Sequence, residues 1–471
     1  MVILQPERLP FRRDIMKARP AATLTEGSVF GGMMRFFLPI MLGTLLQQLY
    51  STVDAVVLGQ FVGKNALAAV GGSDMTIINL IVGFFVGLSS GASVVISQHY
   101  GAREDERVSS AVHTAIVLAI WIGAVMTLVG IFLAPALLGA LDTPEEIMDY
   151  SIDYLQWYFA GMVPSMIYNM GSSILRAMGD SRRPLYFLVA CTVINTILDL
   201  FFVAVLRMEV AGAAIATSVS QLICAGLVLF TLSRLPNSGR LYLNRLRADR
   251  TLLLRMLAMG LPAGIQSTLY SVTNLFVQRA TNLLGTDTVA AWSAFWKLDG
   301  IFWPVSSSIG IAVMTFAGQN YGARRMDRIY RCIHTGLAMH AAFSVVFSLA
   351  LYVTRGLTVR LFCSDPAVVE QGQQIVAMIA FAYPTFFCTE VFSSAMRGVG
   401  NAVKPTVITL FGVCVLRMIL LFTVTFPHLC NETIAICYPI TWAASSVLFL
   451  LYYKLGKWMP NQAVQSQPET R

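Results

Sequence analysis

Two carboxylates stand inside stretches that are otherwise almost wholly apolar: Asp54 in Tyr50-Ser-Thr-Val-Asp54 and Asp199 in Asn195-Thr-Ile-Leu-Asp199. If both stretches are helical, the i, i+4 spacing sets Tyr50 on the face of Asp54 and Asn195 on the face of Asp199. Thr217 offers a further oxygen from a later apolar stretch. A charge at the centre of a bilayer costs about 2.5–3.5 kcal/mol on insertion scales, so it is rarely there without a partner or a task. Two acids in one apolar region repel each other and resist ionising unless they share a cation or take up a proton. The chemistry to expect is therefore reversible binding of a proton or one monovalent cation at Asp54 and Asp199. The rival reading, polar residues that only bond neighbouring helices, carries less weight for the two acids and equal weight for Thr217.

The second half of the chain differs. Asn274 stands where Asp54 stands in the first half, and no acid replaces Asp199. Glu390 and Arg417 lie within apolar stretches instead and are expected to form an ion pair. Bond-making chemistry finds no support. No nucleophile–base or metal cluster is legible, so the chain is not read as an enzyme and no cofactor is expected. Gly59-Gln-Phe-Val-Gly63-Lys64 lacks the spacing of a phosphate loop, which excludes an ATP-driven pump. The eight cysteines form no CxxC pair and read as core filler, and the five histidines show no ligand spacing.

The elements that must hold these groups are membrane helices. Hydrophobic residues make up 56% of the chain and charged ones only 12%, at a mean hydropathy of +0.67. About 20 apolar residues cross a bilayer, and apolar stretches of that length or more recur twelve times. The expected spans are 33–58, 74–100, 108–138, 147–177, 183–206, 210–235, 253–284, 289–320, 329–357, 367–398, 403–427 and 431–456. Lipid offers no backbone partners, so each span must be helical. Gly83, Gly87 and Gly91 repeat on one face of the second span and predict close backbone packing there. The net charge of +8 is scattered over short breaks, which argues against a nucleic-acid partner. Basic residues gather in the first tail (Arg8, Arg12, Arg13, Lys17, Arg19) and in the even-numbered breaks, whereas the break after the third span is acidic (Asp142, Glu145, Glu146, Asp149). By the positive-inside rule both termini face the cytoplasm, in a multi-pass protein of the cytoplasmic (inner) membrane.

An internal repeat organises the spans. Gln98-His-Tyr-Gly-Ala-Arg103 recurs as Gln319-Asn-Tyr-Gly-Ala-Arg324, and Arg176-Ala-Met-Gly-Asp180 as Arg397-Gly-Val-Gly-Asn401. Leu49-Tyr-Ser51 answers Leu269-Tyr-Ser271. Six spans per half is an even number, so both halves share one orientation and a cavity is expected between them. The expected organisation is a cytoplasmic tail (1–32), an amino-terminal lobe (33–235), a basic connector (236–252), a carboxyl-terminal lobe (253–456) and a second cytoplasmic tail (457–471).

Carried on Tyr50–Asp54, the paired Gln-x-Tyr-Gly-Ala-Arg segments and the paired Arg-x-x-Gly-[Asp/Asn] ends, the chain resembles the multidrug and toxic compound extrusion (MATE) family, bacterial drug-efflux branch, over roughly residues 30–456. The resemblance implies an all-α integral membrane protein of twelve helices in two homologous six-helix lobes around a central cavity. It also implies export of organic, often cationic, compounds, coupled to inward proton or sodium flow. Asp54, Asn195, Asp199 and Thr217 match the family's amino-lobe cation site. Relatives that bind sodium in the other lobe use acids on the seventh and tenth helices; here the seventh offers only Gln266, Asn274 and Gln278, so that part of the pattern is missing. A substrate wall would draw on Met162, Met166, Tyr168, Trp292, Phe295, Trp296, Tyr383, Phe386, Phe387 and Glu390, since aromatic faces attract organic cations and methionine adapts to varied shapes. The expected partners are small organic substrates and membrane lipid, with the chain acting as a monomer. A flippase or exporter of a lipid-linked or polar metabolite on the same two-lobe plan is the alternative.

Overall fold

The computed structural model describes residues 24–141, 143–235, 239–363 and 365–460. Arg8, Arg12, Arg13, Lys17, Arg19, Asp142 and the end of the second tail (461–471) lie outside the described residues. The described chain contains helices and no strand. Besides the short turns Lys64–Ala69 and Leu243–Arg245 they are, in order, α1 (Val29–Phe61), α2 (Val70–Gly101), α3 (Asp105–Ala140), α4 in two pieces (α4a, Glu145–Ala160; α4b, Met162–Ala177), α5 (Arg182–Val205), α6 (Glu209–Ser233), α7 (Arg250–Asn282), α8 (Thr286–Gly322), α9 (Met326–Arg360), α10 (Pro366–Gly398), α11 (Val403–Thr425) and α12 (Asn431–Leu455). Eleven of these are single helices long and apolar enough to cross a membrane; α4 makes the twelfth crossing as two 16-residue pieces. The chain is an all-helical integral membrane protein of two lobes.

Capping fixes where several helices begin. The Ser28 hydroxyl accepts the Gly31 N–H at 3.3 Å, and the Asp249 carboxylate accepts the Leu252 N–H at 3.0 Å. Asp365 accepts the Ala367 N–H at 2.8 Å ahead of Pro366, a residue suited to a first helical position. The repeat extends to backbone geometry. Arg103 and Arg324 end their motifs at φ 59° and 58°, and Gly179 and Gly400 end α4 and α10 at φ 93° and 96°. Those two glycines stop their helices in a left-handed turn that a side chain would strain.

Both α4 and α10 break midway, at equivalent depths. Gly161 ends α4a, and a Cβ there would run into Ser218 of α6. The break frees carbonyls that lipid cannot satisfy, so neighbours supply donors: Ser218 Oγ to the Trp157 carbonyl at 3.0 Å and Thr127 Oγ1 to that of Phe159 at 2.8 Å. In α10 the regular helix gives way to a tighter turn over Tyr383–Phe386. There Ser446 of α12 donates to the Thr385 carbonyl and accepts the Thr389 N–H.

The lobes exchange helix ends. The first part of α1 (Val29, Met33, Phe36, Phe37, Ile40) packs with Val305, Val313, Phe316 and Ile333 of the second half. Its later part (Val57, Leu58) belongs to the core of the first half. Conversely, α7 begins among first-half residues with Leu252 and Met256 and finishes with Val277 and Ala280 in the second. Between the lobes α2 lies directly on α7. A Cβ on Gly87 would stand 2.7 Å from the Gly264 nitrogen, and one on Gly264 2.7 Å from the Phe84 carbonyl oxygen. The glycine series of α2 thus does what its spacing predicts.

At the end that carries the arginine-rich breaks, hereafter the basic end, the lobes close on one another. Residues 91–99 and 312–321 are buried without exception. The repeated glutamines bind across: Gln98 Nε2 donates to the Gly398 carbonyl at 2.9 Å, and Gln319 Nε2 to the Ala177 carbonyl at 2.7 Å. Each glutamine oxygen is held in turn, Gln98 by Arg255 at 3.1 Å and Gln319 by the Leu24 N–H at 3.0 Å. One repeated motif therefore closes on the other.

Candidate cation-coupling site

Within the first lobe α1, α5 and α6 bring the five predicted groups together. Asn195 and Asp199 are fully buried, and Asp54 and Thr217 are each 9% exposed. With the Asn195 amide nitrogen turned toward the acids, it donates to Asp54 Oδ1 at 3.1 Å and to Asp199 Oδ2 at 3.0 Å. One amide nitrogen thus holds both carboxyl groups side by side. Asp199 Oδ1 is buried without a hydrogen-bond partner. Tyr50 Oη donates to Thr217 Oγ1 at 2.9 Å, which fixes α1 against α6 one turn before Asp54.

Two features escaped sequence reasoning. Tyr154 and Tyr158, stacked on α4a with ring centroids 6.0 Å apart, approach Asp54. Their i, i+4 spacing on an acidic, half-apolar segment was a usable signal. Immediately after Asp199, α5 widens into a π-helical turn over Leu200–Val205. Such turns often accompany functional sites, but nothing in the local residue types announces one.

Two acids on one amide, sealed from water, cannot both stay charged without a guest. The Asn195 amide can donate to two carboxylates or, turned over, accept from a protonated one. The arrangement suits one proton or one small monovalent cation, whose arrival changes the local charge by one unit. Among the described residues no three His, Cys, Asp or Glu side chains group as a metal site.

A chain built from two copies of one six-helix plan should match a family profile twice, and it does: the MatE profile matches residues 39–201 and again residues 262–423. The chain belongs to the MatE family. The probable multidrug resistance protein YpnP of Bacillus subtilis is 30% identical, covering 93% of this chain and 98% of that protein. The FAD transporter of Shewanella oneidensis is 25% identical, covering 80% of this chain and 84% of that one. Among solved structures, a multidrug resistance MATE family transporter in an outward-facing conformation superposes with a TM-score of 0.86 at 20% identity, covering 92% of this chain and 97% of the other. This MatE protein is accordingly a transporter, and not an enzyme.

The remaining candidates of the MatE chain fall in different surroundings. Met162, Met166 and Tyr168 sit in the packed core of the first lobe. Trp292, Phe295, Tyr383 and Phe386 sit in a core of the second. Within that core Trp292 Nε1 donates to Asn431 Oδ1 at 3.0 Å, while Tyr383 Oη and Trp303 Nε1 each donate to Asp299 at 2.7 Å. Trp296, Phe387 and Glu390 keep part of their surface accessible.

The expected ion pair between Glu390 and Arg417 is not formed. Arg417 lies under the Tyr438 ring, its carbon 4.5 Å from the centroid, and donates to Thr441 at 3.3 Å and Asn274 at 3.5 Å. Glu390 accepts instead from Ser394 at 3.4 Å. An aromatic face and neutral acceptors take the place of the carboxylate, and sequence separation gave no view of them.

Proposed function

We propose that this chain is a secondary active antiporter that exports small organic compounds, driven by proton or sodium entry through Asp54 and Asp199. The observation that carries the reading is the pair of buried carboxyl groups on one amide. Under the positive-inside rule the basic end is cytoplasmic, as are both termini, and the chain acts as a monomer in the cytoplasmic membrane. The seal at that end then makes this conformation one that loads ions from, and releases substrate to, the outside.

Helix α1 supplies the transmission. Its first part packs on the second lobe as far as Thr44 and Leu45, its later part carries Asp54, and Pro39 lies within the foreign contact. Proline removes a ladder hydrogen bond and permits a bend there. A change of charge at Asp54 therefore acts on a helix that belongs to both lobes. Reconstituted protein should move a dye only when a proton or a sodium gradient is imposed, and the two gradients applied separately identify the ion. Dye movement that is equally fast without either gradient would refute coupled export.

The second reading is a flippase or exporter of a lipid-linked or polar metabolite. It draws support from a lateral apolar crevice between α7 and α11, lined by Leu269, Val272, Cys414, Met418 and Phe422. It requires movement of a lipid-borne probe in the same vesicles.

A further inference from the structure

The last turns of α4b and α10 carry a feature that cation export does not use. Of residues 166–178, only Asn169, Ser173 and Arg176 escape burial; of residues 388–399, only Glu390 and Arg397 do. The accessible residues fall on one face of each helix, at matching positions of the repeat: Asn169 answers Glu390, and Arg176 answers Arg397. All the neighbours of these residues are packed, so the accessible surface of each stripe is narrow.

Both arginines sit one residue inside the seal. The carbonyl that follows Arg176 is Ala177's, held by Gln319, and the one that follows Arg397 is Gly398's, held by Gln98. Both guanidinium groups point back toward the helix starts, away from the basic end. Arg176 Nη2 donates to Ser173 Oγ at 3.0 Å; Arg397 donates to Ser393 Oγ at 3.1 Å and to the Ser393 carbonyl at 3.3 Å. Among the described residues neither guanidinium meets a carboxylate within ion-pair distance, and none of its nitrogens is buried unpaired. Their unspent N–H groups therefore keep accessible surface. Glu390 is the one acid on the two stripes, and Asn169 is neutral at the equivalent position, so the stripes together are net positive by one charge. A guanidinium is a planar fork suited to carboxylate, sulfonate and phosphate oxygens.

We propose that Arg176 and Arg397 face one cleft between the lobes and form its anion-accepting floor, and that the exported molecule carries a carboxylate, sulfonate or phosphate group. The inference rests on the export reading above and narrows its substrate class. An organic cation would meet two guanidinium groups of which Glu390 offsets only one charge, whereas an anion would receive charge-assisted hydrogen bonds from both.

The test is equilibrium binding to the purified full chain in lipid nanodiscs, read by fluorescence anisotropy. The anionic probes are carboxyfluorescein and pyranine; rhodamine 6G, built on a related ring system, is the cationic one. The anionic probes should bind in phosphatidylcholine discs and weaken as salt is raised. The double variant R176Q/R397Q should lose about ten-fold or more in their affinity, given the strength of hydrogen bonds to charged groups. It should not lose affinity for rhodamine 6G. R176K/R397K, which keeps the charge but not the planar fork, should recover part of the loss and so exclude misfolding as its cause. Displacement of the probes when phosphatidylglycerol is added would assign the floor to an anionic lipid headgroup, and no displacement to a water-soluble anion; either upholds the site. Failure of both anionic probes to bind, or unchanged affinity in R176Q/R397Q, would overturn it. Asp54→Asn separates the two readings. If it moves carboxyfluorescein under a gradient as the native chain does, coupling at Asp54 fails, while an arginine-dependent anisotropy signal leaves the floor standing.

Discussion

Removing Gln319 should loosen the basic end by an amount the structure lets one work out. Its amide makes two neutral hydrogen bonds, to the Ala177 carbonyl at 2.7 Å and from the Leu24 N–H at 3.0 Å. Both are lost in Gln319→Ala, and both partners stay buried while the lobes remain shut. Leu24 packs with the second lobe, as Gln319 does, so only the Ala177 bond crosses between the lobes and is exchanged for water on opening. The variant should therefore shift the closed-to-open ratio by about 0.5–1.5 kcal/mol, roughly two- to thirteen-fold. Gln98→Ala should shift it by a similar amount, because Arg255 belongs to the start of α7 that packs with the first half and only the Gly398 bond crosses. Spin labels at Arg182 and Val403, exposed and equivalent starts of α5 and α11, report the separation. In a background without native cysteines, double electron–electron resonance should show a longer-distance population that is larger in Gln319→Ala and in Gln98→Ala than in the native chain. If both variants give the native distance distribution, the glutamines do not hold the seal, and glycine packing of α2 on α7 must hold it alone.

Asp54→Asn and Asp199→Asn should each abolish gradient-driven dye export in liposomes while leaving expression and detergent-resistant folding intact, because asparagine keeps the shape of the neutral acid but cannot cycle a charge. Gly91→Val should disrupt lobe packing, since a Cβ there meets the Met256 carbonyl and stands 2.6 Å from the Gly260 nitrogen; the expected loss is about 1–3 kcal/mol or more, read as a fall in thermal stability. Glu390→Gln and Arg417→Met should act independently, their stability effects adding within about 0.5 kcal/mol in a double-mutant cycle, and a coupling above 1 kcal/mol would show that the two side chains meet. Ser446→Ala should cost about 1–3 kcal/mol by orphaning the Thr385 carbonyl in the break of α10, measured by thermal shift in detergent.

Much of this protein could be read from its residues. Length and apolarity of each stretch fix a membrane helix, because lipid leaves the backbone no other partner. The doubled Gln-x-Tyr-Gly-Ala-Arg and Arg-x-x-Gly motifs identify two like-oriented halves. Asp54, Asn195 and Asp199 were legible because an ionisable group in hydrocarbon needs a reason to be there. Thr217 was visible only as one more oxygen until Tyr50 donated to it. What the residues could not convey is everything that depends on which helix faces which. The exchange of helix ends by α1 and α7 rests on packing between segments far apart in the chain, and a linear division into lobes at residue 235 has no way to express it. The same limit explains Arg417, whose partners are Tyr438, Thr441 and Asn274 rather than the acid that charge alone would choose, and the burial of Trp292, Phe295 and Tyr383. Periodicity reports that a side chain is apolar; only tertiary contact decides whether it lines a cleft or fills a core. The repeated glutamines make the division plain. Their recurrence is a fact of sequence, but that each closes on the other half's arginine motif is a fact of the pseudo-two-fold packing, which brings each amide to a carbonyl freed at the end of the opposite lobe's broken helix.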